Sequence, residues 1–330
     1  MMKNNRGQSP SKRFNLIISN LAKSAIKINV KELEMVNQEW LVPNFLYKNS
    51  LVMVYASAGS GKSWFAYSLC NLLLKACDNK FDKILYLDAD NGLTTLKNRN
   101  VGLLVANPKF ELYATNGARD FDLFNKLKNY DLNGKIIVID SIRNFMSRVN
   151  LISDSQVMSY LNDLQEMRNK GATIIFLHHQ PKQIDGENNK AYKGSTAFAD
   201  SVDEAYFLSG VKKKGKFILC LEPQKCRDET KTTGFLLQTS ELDLKILDEK
   251  SVRLHTLCDK EKIILELVCE IINSYKNINQ SNLAKKLTAI ANDRAYEIVG
   301  KNSLWKLLQS FDEICFKISK DKNQKNFSIL

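Results

Sequence analysis

The chain has 330 residues, 44% hydrophobic and 25% charged, which is room for one large domain and a smaller one. That balance excludes a disordered or fibrous chain, and no apolar run approaches the length that crosses a bilayer. The net charge of +12 points to a polyanionic partner, nucleic acid first, although a Lys- and Asn-rich composition gives the same bias without one.

Met1 to Arg13 is basic and polar, lacks an apolar h-region and reads as a solvated tail. The seven cysteines show no Cys-x-x-Cys pair and no ligand spacing, so reduced thiols and a cytoplasmic location are expected. Residues 14–50 form a lead-in that ends in the extended stretch Trp40-Leu41-Val42-Pro43. From 51 to about 210 strand and helix patterns alternate. Short Val/Ile/Leu/Tyr-rich runs predict strands at 51–56, 84–87, 111–115, 136–140 and 173–178, each suited to burial on both faces. Helices are predicted at 63–76, 92–99, 120–129 and 154–170; the last puts Val157, Leu161 and Leu164 on one face and Gly171 just past its end. The alternation predicts an α/β fold with a mainly parallel sheet over residues 51–250.

Phe217 to Leu221 and Gly234 to Gln238 then read as two antiparallel strands around a polar loop. Beyond 250 the pattern turns helical. Ile263, Ile264, Leu267, Val268, Ile271 and Ile272 make one stripe, Leu283, Ala284 and Leu287 a second helix, and Leu304, Trp305, Leu307, Leu308 and Phe311 a third. Strand-like pieces at Ile314–Ile318 and Asn326–Ile329 close the chain around a polar turn from Ser319 to Lys325. Three helices and a terminal hairpin predict a small α+β winged-helix module over 251–330. It holds thirteen Lys/Arg against nine Asp/Glu, with Lys301 and Lys306 on its third helix and Lys320, Lys322 and Lys325 in the wing. Trp305 reads as core. Duplex DNA and a docked replication protein are both open as its partner.

The chemistry begins at Ala56-Ser57-Ala58-Gly59-Ser60-Gly61-Lys62-Ser63. This run fits the phosphate-binding loop in every position but the first, and a strand leads in and a helix leads out. Small residues let successive backbone N–H groups curl around an anion at a helix N-terminus, so Ala58 to Trp64 is the expected nucleotide-contacting run. Lys62 is suited to the β- and γ-phosphates and the Ser63 hydroxyl to Mg²⁺. Ile136-Ile137-Val138-Ile139 delivers Asp140 to a strand's C-terminal end, where a carboxylate supports that metal. Leu85-Tyr86-Leu87-Asp88-Ala89-Asp90 offers a base, Asp90, with Asp88 as its competitor. Ile174 to Gln180 ends in His178 and His179, polar groups placed to meet a γ-phosphate.

Those four motifs, in that order, resemble the RecA-like ATPase superfamily and most of all the RepA-type hexameric helicases of plasmids. The Phe176-Leu177-His178-His179 run and Lys193-Gly194-Ser195-Thr196 are similar to that subgroup in particular, and the similarity spans roughly residues 38 to 240. The resemblance implies a RecA-like P-loop core that takes ATP and Mg²⁺, built as a homo-oligomeric ring, a hexamer in the family, with nucleotide between neighbours. It implies that Asp90 stands where the family has a catalytic Glu, one methylene longer, and that Arg99 stacks on adenine. A cation donated by the neighbouring subunit completes such sites. Lys225-Cys226-Arg227 resembles the Lys-x-Arg element that does this in DnaB-like helicases, which makes Arg227 the first candidate, Lys225 the second and Lys193 the third. The loops Arg143–Ser153 and Pro181–Lys193 correspond to channel loops that touch single-stranded DNA, and carry Arg143, Arg148, Lys182, Lys190 and Lys193, with Phe145 and Tyr192 as their only aromatic rings.

Overall fold

The computed structural model describes residues 29–35, 37–114, 123–146, 150–180, 192–227, 230–321 and 324–330. Arg148, Lys182, Lys190, Lys322 and the tail 1–13 lie outside them. Residues up to Trp40 form a unit of their own, in which the helix Val30–Met35 is described. Two short strands follow that helix in the chain, β1 (Trp40–Val42) and β2 (Leu46–Tyr47).

A nine-stranded sheet follows. Its strands are β3 (Leu51–Ala56), β4 (Lys83–Asp88), β5 (Phe110–Ala114), β6 (Lys135–Asp140), β7 (Thr173–His179), β8 (Glu204–Lys213), β9 (Lys216–Lys225), β10 (Thr233–Gln238) and β11 (Asp243–Leu247). The order across the sheet is β11-β10-β9-β8-β3-β7-β6-β4-β5. From β8 to β5 neighbours run parallel; β9, β10 and β11 extend the sheet antiparallel. The expected strands are all present, with ends shifted by a residue or so, except that β9 runs four residues past Leu221 and takes in Lys225. β8 and β11 were not expected: the apolar run Ala205 to Leu208 of β8 sits between Glu204 and Ser209-Gly210, and β11 is five residues long with Asp243 and Lys245 among them.

Period-two alternation assigns the strand side chains to two cores. Val52, Val54, Ile136, Val138, Ile175 and Leu177 pack with the helix Lys62–Ala76 on one face. Leu51, Met53, Ile137, Ile139, Ile174 and Phe176 pack with the helix Asp154–Asn169 on the other. All six residues of β3 are buried, so the strand that delivers the phosphate loop is the most enclosed element of the sheet.

The helix Glu249–Thr256 lies on β10, its Val252 side chain directly over Gly234. Leu254 of that helix packs against a separate C-terminal core. There the order is helix Asp259–Tyr275, β12 (Asn277–Asn279), helix Gln280–Asp293, helix Lys301–Ser310, β13 (Lys317–Asp321) and β14 (Gln324–Ser328). The strands form a sheet in the order β12-β14-β13. β13 starts three residues later than the expected strand from Ile314, and the polar residues Ser319 to Asp321 belong to it. Charged side chains suit this strand because nearly all of it is exposed. None of the seven cysteines is disulfide-bonded. No helix of the described residues is long and apolar enough to cross a membrane.

Candidate nucleotide site

The site lies at the C-terminal ends of β3, β4, β6 and β7, which the sheet register brings level. Asp88 pairs with Asp140 and Ala56 with His179. The same alternation that fills the two cores selects the face. Asp88 follows Ile84 and Tyr86, Asp140 follows Ile136 and Val138, and His179 follows Ile175 and Leu177, all on the side of the Lys62–Ala76 helix.

The loop between β3 and that helix turns on Gly59 at φ +79° and Gly61 at φ +96°, conformations that L side chains rarely adopt. A Cβ on Gly61 would also stand 3.1 Å from the Phe217 ring. Lys62 is buried. Its ammonium donates to the carbonyls of Ala56, at 3.0 Å, and Ser57, at 2.8 Å. Burial holds its pKa below the ordinary lysine value, while Asp140 and Asp90 act in the other direction.

Asp140 is buried at the end of β6. Desolvation, reinforced by Asp88, pushes its pKa up to about 6, against hydrogen bonds from the Ser63 and Tyr86 hydroxyls. Ser63 and Asp140 thus put a hydroxyl and a carboxylate, both hard oxygen donors, in contact. Among the described residues no cluster of three His, Cys, Asp or Glu side chains forms a cation site. Two protein oxygens beside a phosphate cradle suit Mg²⁺, which keeps waters and takes phosphate oxygens as further ligands. The bound ion would neutralise phosphate charge.

Asp90 lies on the turn after β4. His179 Nε2 is 3.7 Å from its Oδ2, and the Asn144 amide donates to its Oδ1. These partners, His179 foremost, hold its pKa below the ordinary carboxylate value. Asp88 faces inward instead. It accepts the Tyr67 hydroxyl, the backbone N–H groups of Asp90 and Asn91 at 3.0 and 2.9 Å, and the Asn91 amide.

A cleft of about 450 Å³ joins Ala58, Gly59, Gly61, Lys62, Ser63, Trp64, Asp90, Arg99, Asp140 and His179. The Arg99 guanidinium sits 5.7 Å from the centre of the Trp64 ring. Besides Asn91, sequence reasoning missed Lys212 and Phe217 as lining residues, whose ammonium and ring are 5.5 Å apart. They arrive from the β8–β9 hairpin, some 150 residues after the loop they flank, and only the pairing of β8 with β3 brings them there.

His178, Lys193, Lys225 and Arg227 do not line the cleft. His178 faces the opposite core, stacked on Phe198 at 4.3 Å, with Nε2 2.6 Å from the Lys193 carbonyl. Burial pushes its pKa down to about 4. Lys193 is joined to β7 through its backbone N–H, which donates to His179 O. Lys225 donates to the carbonyls of Ala199 and Asp200. Arg227, half exposed, is 3.2 Å from Asp203, which also takes Arg168 and the Leu51 N–H. Leu51 begins β3 and the phosphate loop follows its end, so Lys225 and Arg227 stand at the opposite edge of the sheet. Six strand residues separate the two edges by roughly 20 Å. Phe145 is buried and Tyr192 packs on Tyr55, so neither offers a free ring to a nucleic-acid base.

A phosphate-binding loop and strand-end acids on a mainly parallel sheet are the features of a P-loop ATPase domain. Residues 26–185 match the family model described as an AAA domain, a stretch that holds the phosphate loop, Asp90, Asp140 and His179 and ends before β8. No curated protein matches the chain.

Proposed function

We propose that the chain is an ATP-driven, DNA-associated motor that works as a homo-oligomeric ring, in the manner of the RepA-type replicative helicases of plasmids. One observation carries this reading. Lys62, Ser63, Asp140 and Asp90 share a cleft, while Arg227, the first candidate for the donated cation, lies about 20 Å away at the other end of the strands. A chain built this way completes its site with the Arg227 of a neighbour. In the reaction, Lys62 and the loop N–H groups hold the phosphates, and Ser63 and Asp140 hold Mg²⁺. Asp90, fixed by His179 and Asn144, takes a proton from the attacking water.

The helix–strand–helix–helix–strand–strand order of the C-terminal module, with β14 between β12 and β13, supports its reading as a winged helix. Net charge of +12 supports DNA as the track. A second reading, an ATP-gated DNA-binding switch without unwinding, draws on Asp90 itself: its short carboxylate is held on two sides, which limits its reach to water.

Purified protein is assayed for ATP hydrolysis with and without single-stranded DNA, then for strand displacement. The motor predicts stimulated hydrolysis and displacement, both abolished by Lys62→Ala. Hydrolysis without displacement supports the switch. No hydrolysis at any DNA concentration sinks both.

A further inference from the structure

The C-terminal module contains a groove of about 480 Å³ far from the chemistry of the nucleotide cleft. Three elements build it: Gln280 and Lys285 come from one helix, Lys301 and Trp305 from the next, and Gln324 and Lys325 from β14. A second groove of about 590 Å³ shares Lys301 and Trp305. No carboxylate lines the first groove. Among the described residues, Lys285, Lys301 and Lys325 have no ion-pair partner. Elsewhere in the module Lys260 pairs with Glu297, Arg294 with Glu270 at 3.1 Å, and Lys317 with Glu313 at 3.6 Å. Lys276, Lys286, Lys306 and Lys320 are also without an ion pair among the described residues, but none of them lines this groove. Three like charges converging on one concavity repel one another and gain nothing from the fold. Their arrangement suits an anion brought from outside.

We propose that this groove, between the Gln280–Asp293 helix, the Lys301–Ser310 helix and β14, grips the phosphodiester backbone of duplex DNA. The proposal rests on the reading of the chain as DNA-associated and names the residues and the form of DNA. Charge complementarity selects the ligand. Protein-docking sites concentrate apolar and aromatic side chains at the centre with charges outside. This groove lacks such an apolar cluster: its lining is mostly cations and polar side chains with a single aromatic residue, as expected of a nucleic-acid interface. Single strands are held by rings that stack on bases. Trp305 is only partly exposed and its ring lies 6.2 Å from Phe327, tilted by 34°, so the groove offers no second ring and no open platform. Phosphates in a fixed register, held by amides and ammonium groups from three rigid elements, are what a duplex presents.

The full-length chain, without nucleotide, is titrated against a short fluorescent duplex of arbitrary sequence over a range of salt concentrations. The triple variant K285A/K301A/K325A is expected to bind at least about tenfold more weakly, with its salt slope reduced by about 2 to 3. The charge-preserving triple K285R/K301R/K325R restores binding, and K260A, which removes a paired lysine of the same module, leaves it unchanged. Circular dichroism melting reports whether each variant is folded. Wild-type affinity and slope in the folded alanine variant overturn the proposal. So does a defect confined to single-stranded DNA, displacement of the duplex by inorganic phosphate at matched ionic strength, or binding of polyglutamate without binding of duplex. The two readings fail separately: lost ATPase with intact duplex binding removes only the motor, and intact DNA-stimulated ATPase with no groove-dependent duplex binding removes only the groove.

Discussion

Asp88 and Asp90 stand two residues apart, and the structure gives their carboxylates different surroundings. Both strand-end acids precede a turn and both suit a base by composition. Asp88 is buried and spends its oxygens on Tyr67, on two backbone N–H groups and on the Asn91 amide, which fixes the turn that carries Asp90. Tyr67 belongs to the phosphate-loop helix and its ring stacks on Tyr86 at 4.8 Å, so the helix and the acid are held by one contact set. Tyr67→Phe removes a hydrogen bond to a buried carboxylate and should cost about 1.5–3 kcal/mol of stability. Turnover should fall while KM for ATP stays near its wild-type value, because Lys62 and the loop are untouched. Denaturant unfolding and steady-state kinetics check the two halves, and a KM effect without a turnover effect would contradict the assignment.

Two buried groups on adjacent strands, facing opposite sides of the sheet, give the molecule opposed pH dependences. His178 is held down to about 4 against an ordinary 6.5, so the unfolded chain takes a proton that the native chain refuses. Its contribution is fully present above pH 6.5 and is lost as pH falls toward 4, by on the order of 3 kcal/mol. Asp140 is raised to about 6 from 3.8, so its contribution is present below pH 3.8 and lost as pH rises through 6. Between about pH 4 and 6 the two offset each other. Asp140→Asn should make melting temperature rise with pH in that window, and His178→Gln should make it fall. Equal slopes for both variants and the wild type would show that neither group is perturbed.

At the scale of elements, the legible parts were the ones whose burial is complete. β3, β6 and β7 are continuous apolar runs because both faces are covered, and their ends mark the site directly. β8 was not legible. It opens on Glu204, which is fully buried, and closes on Val211-Lys212-Lys213, so neither end looks like a central strand. With β8 unseen, Phe217 and Lys212 had no route to the cleft. His178 and His179 are adjacent in sequence, and only the alternation of β7 tells the core histidine from the one facing Asp90. The Glu249–Thr256 helix links the sheet to the C-terminal core through a close contact. A Cβ on Gly234 would stand 2.0 Å from Val252 Cγ2. Gly234→Ala should therefore overpack that helix and destabilise by about 1–3 kcal/mol. Adding Val252→Ala removes the clashing methyl and should recover part of the loss; thermal melts of the single and double variants measure this.

At the scale of the whole molecule, the half-sites at opposite sheet edges make a prediction that no single chain can satisfy. One edge carries the phosphate loop, and the other carries Arg227, positioned on Asp203 beside Arg168. Lys62→Ala removes phosphate binding but leaves the finger edge intact. Arg227→Ala leaves the loop intact and, on the ring proposed above, would remove the cation that a neighbour receives. Each variant alone should be inactive, because every interface in a uniform ring then lacks one part. Mixed in equal amounts and allowed to exchange, a subunit with an intact loop meets a neighbour with an intact finger at about one interface in four. Activity should therefore return to about a quarter of the wild-type rate if interfaces act independently, and the wild-type rate per chain should climb with protein concentration as rings assemble. If Arg227 acts within its own chain, mixing restores nothing. If Arg227→Ala is fully active alone, the neighbour's cation is another residue, and Lys225→Ala and Lys193→Ala are then mixed with Lys62→Ala in the same way.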